Sequence, residues 1–117
     1  MRIASSLNKP EEFTRAERRR APRHPFGGVA EISAVSPRVC IVARTAEISR
    51  LGCFVRTPTS VPAGTKISLK ITYEGEEFNT SAEVVYVLPQ KGMGIKFAVT
   101  ATKDEAMLET WLRETMV

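Results

Sequence analysis

The sequence predicts an all-β fold followed by a C-terminal helix, and three observations carry that expectation. Short apolar stretches recur between turn signals from Phe26 onward, several of them alternate apolar with polar residues, and the C-terminal segment switches to helical spacing. The turn signals are Ser36-Pro37, Pro58-Thr59-Ser60, Pro62-Ala63-Gly64, Glu74-Gly75 and Pro89-Gln90-Lys91-Gly92. Between them lie six antiparallel strands, over about 28–35, 39–48, 52–57, 66–73, 77–88 and 92–98.

Alternation is clearest in the fourth strand, where Ile67, Leu69, Ile71 and Tyr73 share one face and Lys66, Ser68, Lys70 and Thr72 the other. One face packs and one is wet. The fifth strand repeats the pattern with Phe78, Ala82, Val84, Tyr86 and Leu88, but Val85 and Val87 make its second half apolar on both sides, so a covering element is expected. The C-terminal segment supplies a candidate. Thr102-Lys103-Asp104-Glu105 reads as a capping box opening a helix to about Thr115. Its stripe of Leu108, Trp111 and Leu112, widened by Ala106 and Met107, suits a sheet face or a barrel mouth. On that stripe Trp111 reads as core rather than as a ligand platform.

A chain of 117 residues, 43% hydrophobic and 26% charged, makes one globular domain. The expected division is a flexible tail over 1–17 and a folded domain over 18–117. The longest apolar runs, Val39 to Ala43 and Val84 to Leu88, fall far short of the roughly 18 residues that span a bilayer, so no membrane insertion is expected. The first 25 residues are polar and charged where a secretory signal is apolar, which predicts a cytoplasmic protein. Cys40 and Cys53 then read as buried free thiols; two cysteines alone make no zinc site.

Charge is concentrated at one end. Lys and Arg number 17 against 13 Asp and Glu, a net charge of +4, and residues 27–117 carry equal numbers of each sign. The basic excess therefore lies wholly in 1–26, and a basic arm on a neutral body points to an anionic partner: nucleic acid, a membrane surface or a phosphorylated small molecule. Catalysis has little to draw on. His24 and Asp104 are the only residues of their kinds, no Ser or Cys stands in a nucleophile motif, and Glu74, Glu76 and Glu77 cluster at a turn. The sequence points away from an enzyme and calls for no cofactor.

Two motifs remain. The first is Glu17-Arg18-Arg19-Arg20-Ala21-Pro22-Arg23-His24-Pro25, where the prolines forbid a continuing helix and leave four arginines on an extended or turned segment. Arginine's planar fork grips phosphate bidentately, pairs with O6 and N7 of guanine, or stacks on a base. The second is Glu47-Ile48-Ser49-Arg50-Leu51-Gly52, between the second and third strands, a turn that exposes Glu47 and Ser49 beside the sheet and uses Gly52 for close backbone approach.

Together these residues resemble the PilZ domain, a bacterial receptor module for the second messenger cyclic di-GMP. Arg19 and Arg23 match the family's RxxxR, Ser49 and Gly52 match its [D/N]xSxxG, and Gly92-Met93-Gly94-Ile95-Lys96-Phe97 is similar to its glycine-rich last strand. Glu47 stands where the family has Asp or Asn, keeping the carboxylate but one methylene farther out. The resemblance covers about residues 17–115 and implies a six-stranded antiparallel β-barrel closed by the terminal helix. It also implies roles: Arg19 and Arg23 for phosphate and guanine, Glu47 and Ser49 for a guanine edge, with Arg18 or Arg20 adding contacts. The implied function is a non-catalytic cyclic di-GMP receptor that relays to a downstream protein. The alternative is a degenerate PilZ domain that binds no nucleotide and acts as an adaptor in motility or secretion. Nucleic acid is the weaker partner, because few aromatics are available for base stacking.

Overall fold

The computed structural model describes residues 23–36, 38–98 and 101–115. They form β1 (His24–Pro25), β2 (Val29–Val35), β3 (Arg38–Ile48), β4 (Gly52–Arg56), β5 (Lys66–Tyr73), β6 (Glu76–Leu88), β7 (Gly92–Phe97) and α1 (Thr102–Thr115). The strands run antiparallel in the order β3-β2-β5-β6-β7-β4, and β4 pairs back onto β3. That last pairing closes a six-stranded barrel, leaving no edge strand along its full length.

Alternation builds the core, with Ile32, Ile48, Val55, Ile71, Phe78, Val84 and Met93 completely buried. The β5–β6 hairpin turns on Glu74 (φ 51°) and Gly75 (φ 83°), the pair of left-handed residues whose twist matches that of the flanking strands. The short β1 was not expected. It pairs with the end of β3, His24 opposite Ile48 and Pro25 opposite Glu47, so it prolongs the line of β2 along the same neighbour. Phe26 N–H donates to Ala46 O at 3.0 Å and Thr45 N–H to Gly28 O at 3.0 Å, which stitches the junction.

The helix closes one mouth of the barrel. Trp111, 2% exposed, has its ring centroid 5.3 Å from Phe26, 5.8 Å from Tyr73 and 6.2 Å from Phe78, and Leu108 and Leu112 are buried beside it. Trp111 is therefore core. Buried Asp104 anchors the helix to β6, its Oδ1 accepting the N–H of Asn79 at 2.9 Å. The capping box does not form as expected: Thr102 already lies in the helix, and the Ala101 carbonyl accepts the N–H groups of Asp104 and Glu105 at 3.0 and 2.9 Å. The partners of Trp111 and Asp104 on β6, Phe78 and Asn79, both lie in its first half.

The cysteine expectation needs one correction. Both thiols are free, but only Cys53 is buried, while Cys40 is exposed. Strand parity is the reason: Ile41 and Ala43 point into the barrel, so Cys40 and Val42 between and beside them point out. Among the described residues no helix is long and apolar enough to cross a membrane.

Candidate ligand-binding site

Two β-bulges build the site. Along β3 the pairing with β4 steps from Thr45 opposite Val55 to Glu47 opposite Phe54, so Ala46 is an extra residue. Thr45 and Ile48 both face the core, and without the bulge Glu47 would follow Thr45 inward. On β6 the pairing with β7 steps from Val84 opposite Ile95 to Tyr86 opposite Gly94, making Val85 the extra residue. Val84 stays inside while Tyr86 turns out, and Val87 rather than Tyr86 packs against the core cluster. The sequence expectation that Tyr86 and Leu88 share the face of Val84 is thereby corrected. Glu47, Phe54, Gly94 and Tyr86 now stand in one outward row across β3, β4, β7 and β6, with Pro25 of β1 next to Glu47.

Arg23, just before β1, reaches into this row. Its Nη1 donates to Glu47 Oε1 at 3.2 Å and to the Tyr86 hydroxyl at 3.2 Å. The Arg23 side chain is 16% exposed, against 48% for Glu47. Burial works against the guanidinium's charge, yet the hydrogen bonds to Tyr86 and Glu47 and the charge of the Glu47 carboxylate outweigh it and raise its pKa. Arg23 is thus a fixed cation with its head at the barrel wall. Behind it Cys53 is pushed up to about 12 by burial, against a smaller opposing pull from Arg23.

Glycine on β7 makes room for this arrangement. A Cβ on Gly94 would come 2.1 Å from the Tyr86 ring, so the ring lies directly on the β7 backbone. Phe54 lies alongside, its centroid 6.2 Å from that of Tyr86 and the two planes 22° apart. The apolar second half of β6 has no separate cover: Val87 packs against the core, the Tyr86 ring lies over β7, and Leu88 remains exposed.

Ser49 has a different setting from the one expected. It is 3% exposed, and its Oγ accepts the N–H groups of Leu51 and Gly52, each at 3.2 Å, and donates to Gly52 O at 3.3 Å. Its hydroxyl holds the turn closed instead of projecting beside Glu47. Gly52 is sterically required, because a Cβ there would lie 2.0 Å from Ile95 O. The cleft between Arg23, Ser49, Gly52 and Tyr86 encloses about 10 Å³, the space of one water, so a ligand must lie on this face rather than enter it. Arg18, Arg19 and Arg20 lie outside the described residues. Tyr86 and Phe54 were missed as site residues, since in sequence both sit in apolar strand runs. No group of metal-ligating side chains occurs among the described residues.

The family profile of the PilZ domain matches residues 17–114. The chain belongs to the PilZ domain family. The PilZ fold is seen again in solved structures. The PilZ domain of YcgR from Escherichia coli, determined with c-di-GMP, aligns with a TM-score of 0.69 at 12% identity, covering 85% of this chain and 92% of that one. The Bacillus subtilis inhibitor of motility MotI/DgrA gives 0.68 at 22% identity over 85% of this chain and 52% of that one. The PilZ domain of CeSA from a cellulose-synthesizing bacterium gives 0.59 at 18% identity, over 80% and 94% respectively. At these identities the likeness speaks to the fold. No curated protein sequence matches the chain.

Proposed function

We propose that this PilZ domain is a non-catalytic receptor for cyclic di-GMP, gripping it with Arg23 and Glu47 on the outer face of the barrel. Arg18, Arg19 and Arg20 complete the arm, and the ordered arm presents a surface to a downstream protein. The observation that carries the reading is the meeting of Arg23 and Glu47 at 3.2 Å, from two motifs that lie 24 residues apart. Their chemistries are complementary to one nucleotide: a guanidinium fork for phosphate, and a carboxylate to accept the N1 and N2 hydrogens of guanine. Ser49 and Gly52 serve by holding the turn behind Glu47.

In this arrangement ligand must compete for Arg23. Phosphate takes the guanidinium that Glu47 and Tyr86 hold, and the freed carboxylate meets the base. Calorimetric titration tests the reading: cyclic di-GMP is expected to bind, more weakly as salt rises, and far more tightly than GMP, which has too few groups to engage both motifs. Equal affinity for the two nucleotides contradicts it. The Arg23–Glu47 contact also favours a second reading, a PilZ domain whose arginine is closed off by its own acid and which works as a protein adaptor in motility or secretion. Absence of binding at any salt concentration decides for the adaptor.

A further inference from the structure

Next to the Arg23–Glu47 row lies a second concentration of positive charge. Arg44 on β3 and Arg56 on β4 are directly opposite one another, both exposed on the outer face. Like charges so placed across a strand pair destabilise the sheet. Elsewhere on the barrel the chain avoids this: Lys66 pairs with Glu83, and Lys70 stands between Glu31 and Glu77. Neither Arg44 nor Arg56 has an acidic partner among the described residues. Arg44 makes one hydrogen bond, from Nη1 to Gly27 O at 3.2 Å, which ties its guanidinium to the segment that leads from Arg23 into β2.

The two cationic places are continuous. Arg56 stands two residues from Phe54 on the same face of β4, about 7 Å along the strand. Opposite them on β7 are Gly92 and Gly94, so no β7 side chain rises between the Arg44–Arg56 pair and the row of Glu47, Phe54 and Tyr86. One uninterrupted surface therefore has a guanidinium at Arg23, an aromatic floor at Phe54, and two more guanidiniums at its far side. An anion spanning that surface relieves the repulsion and fills the unused donors in one step.

We infer that Arg44 and Arg56 form a second anion subsite, which takes one phosphate of a bis-phosphate nucleotide while Arg23 takes the other. This rests on the receptor reading above and adds the reason for preferring a two-phosphate ligand. A mononucleotide fills one subsite and leaves the other as it was.

Titration of cyclic di-GMP and of GMP into the full chain, the Arg56→Ala and Arg56→Lys variants and a Lys103→Ala control tests it. Arg56→Ala should weaken cyclic di-GMP by about tenfold or more, the scale of a lost charged hydrogen bond, and leave GMP unchanged. Arg56→Lys should fall between, because an ammonium keeps the charge but not the fork. The ligand-free Arg56→Ala protein should melt at or above the parent's temperature, since a repulsion is gone. If the parent binds cyclic di-GMP and Arg56→Ala matches Lys103→Ala, the subsite is overturned and the receptor reading stands. If the parent does not bind, both fall together.

Discussion

Arg23 and Glu47 meet at 3.2 Å because a single extra residue, Ala46, turns Glu47 from the core side of β3 to its outer side. The bulge at Val85 does the same for Tyr86, which meets the same Arg23 nitrogen at 3.2 Å. Two bulges on separate strands thus converge on one guanidinium. Bulges recur where a strand must re-aim a side chain, and here both aim at one spot.

Removing the Tyr86 hydroxyl isolates half of that arrangement. Tyr86→Phe keeps the ring over Gly94 and is expected to lower stability in urea denaturation by about 1 kcal/mol, the net worth of a partly buried hydrogen bond. In an Arg23→Ala background the same change should have no further effect beyond about 0.5 kcal/mol. Additive losses in the two backgrounds would mean that the hydroxyl stabilises the fold independently of Arg23.

Glu47 is matched in length to Arg23. Shortening it with Glu47→Asp withdraws the carboxylate by about 1.5 Å, beyond the hydrogen-bond range of about 2.7 to 3.2 Å. Arg23 is then released to phosphate, and cyclic di-GMP should bind more tightly by about 0.5 to 1.5 kcal/mol. Weaker binding by the variant, measured in the same calorimeter run, would instead mean that the guanine edge is fitted to the length of glutamate and that release of Arg23 does not set the affinity.

The fold was legible and the site only partly so. Strand alternation, the turn at Glu74-Gly75 and the helical stripe through Trp111 all act locally, and each element they mark is found within a residue or two of its expected bounds. Bulges are not local. Ala46, between Thr45 and Glu47, and Val85, inside an apolar run, carry no mark of their own, and only the register against β4 and β7 reveals them as extra. Alternation alone therefore puts Tyr86 on the core face. For Ser49 the sequence shows polarity, which suggests exposure, but not that the Leu51 and Gly52 amides claim its oxygen. Cys40 misled in the same way, since an apolar run does not state which parity faces in.

Cys53 gives the domain a pH dependence. Its thiol is pushed from 9.0 up to about 12 in the folded chain, because burial penalises the thiolate. The folded state then binds the proton more tightly than the unfolded one. That contribution is fully present below about pH 9 and lost as pH rises toward 12, with a slope of up to about 1.4 kcal/mol per pH unit. Melting curves between pH 8 and 11 should show a shallower decline for Cys53→Ala than for the parent, although the variant starts lower from lost packing. Parallel declines would show that the thiolate is not excluded. Exposed Cys40 should react with a thiol reagent in the native protein, and Cys53 only on unfolding.

The most direct measurement is calorimetric titration of cyclic di-GMP into the parent chain, into Arg23→Ala and into Arg113→Ala. Arg113 is exposed at the last turn of α1, away from the bulged row, and serves to measure general electrostatics. Binding by the parent, a loss of about 1.5 to 3 kcal/mol in Arg23→Ala and none in Arg113→Ala is the expected result. Equal losses in the two variants, or undiminished binding by Arg23→Ala, would contradict a site built on Arg23.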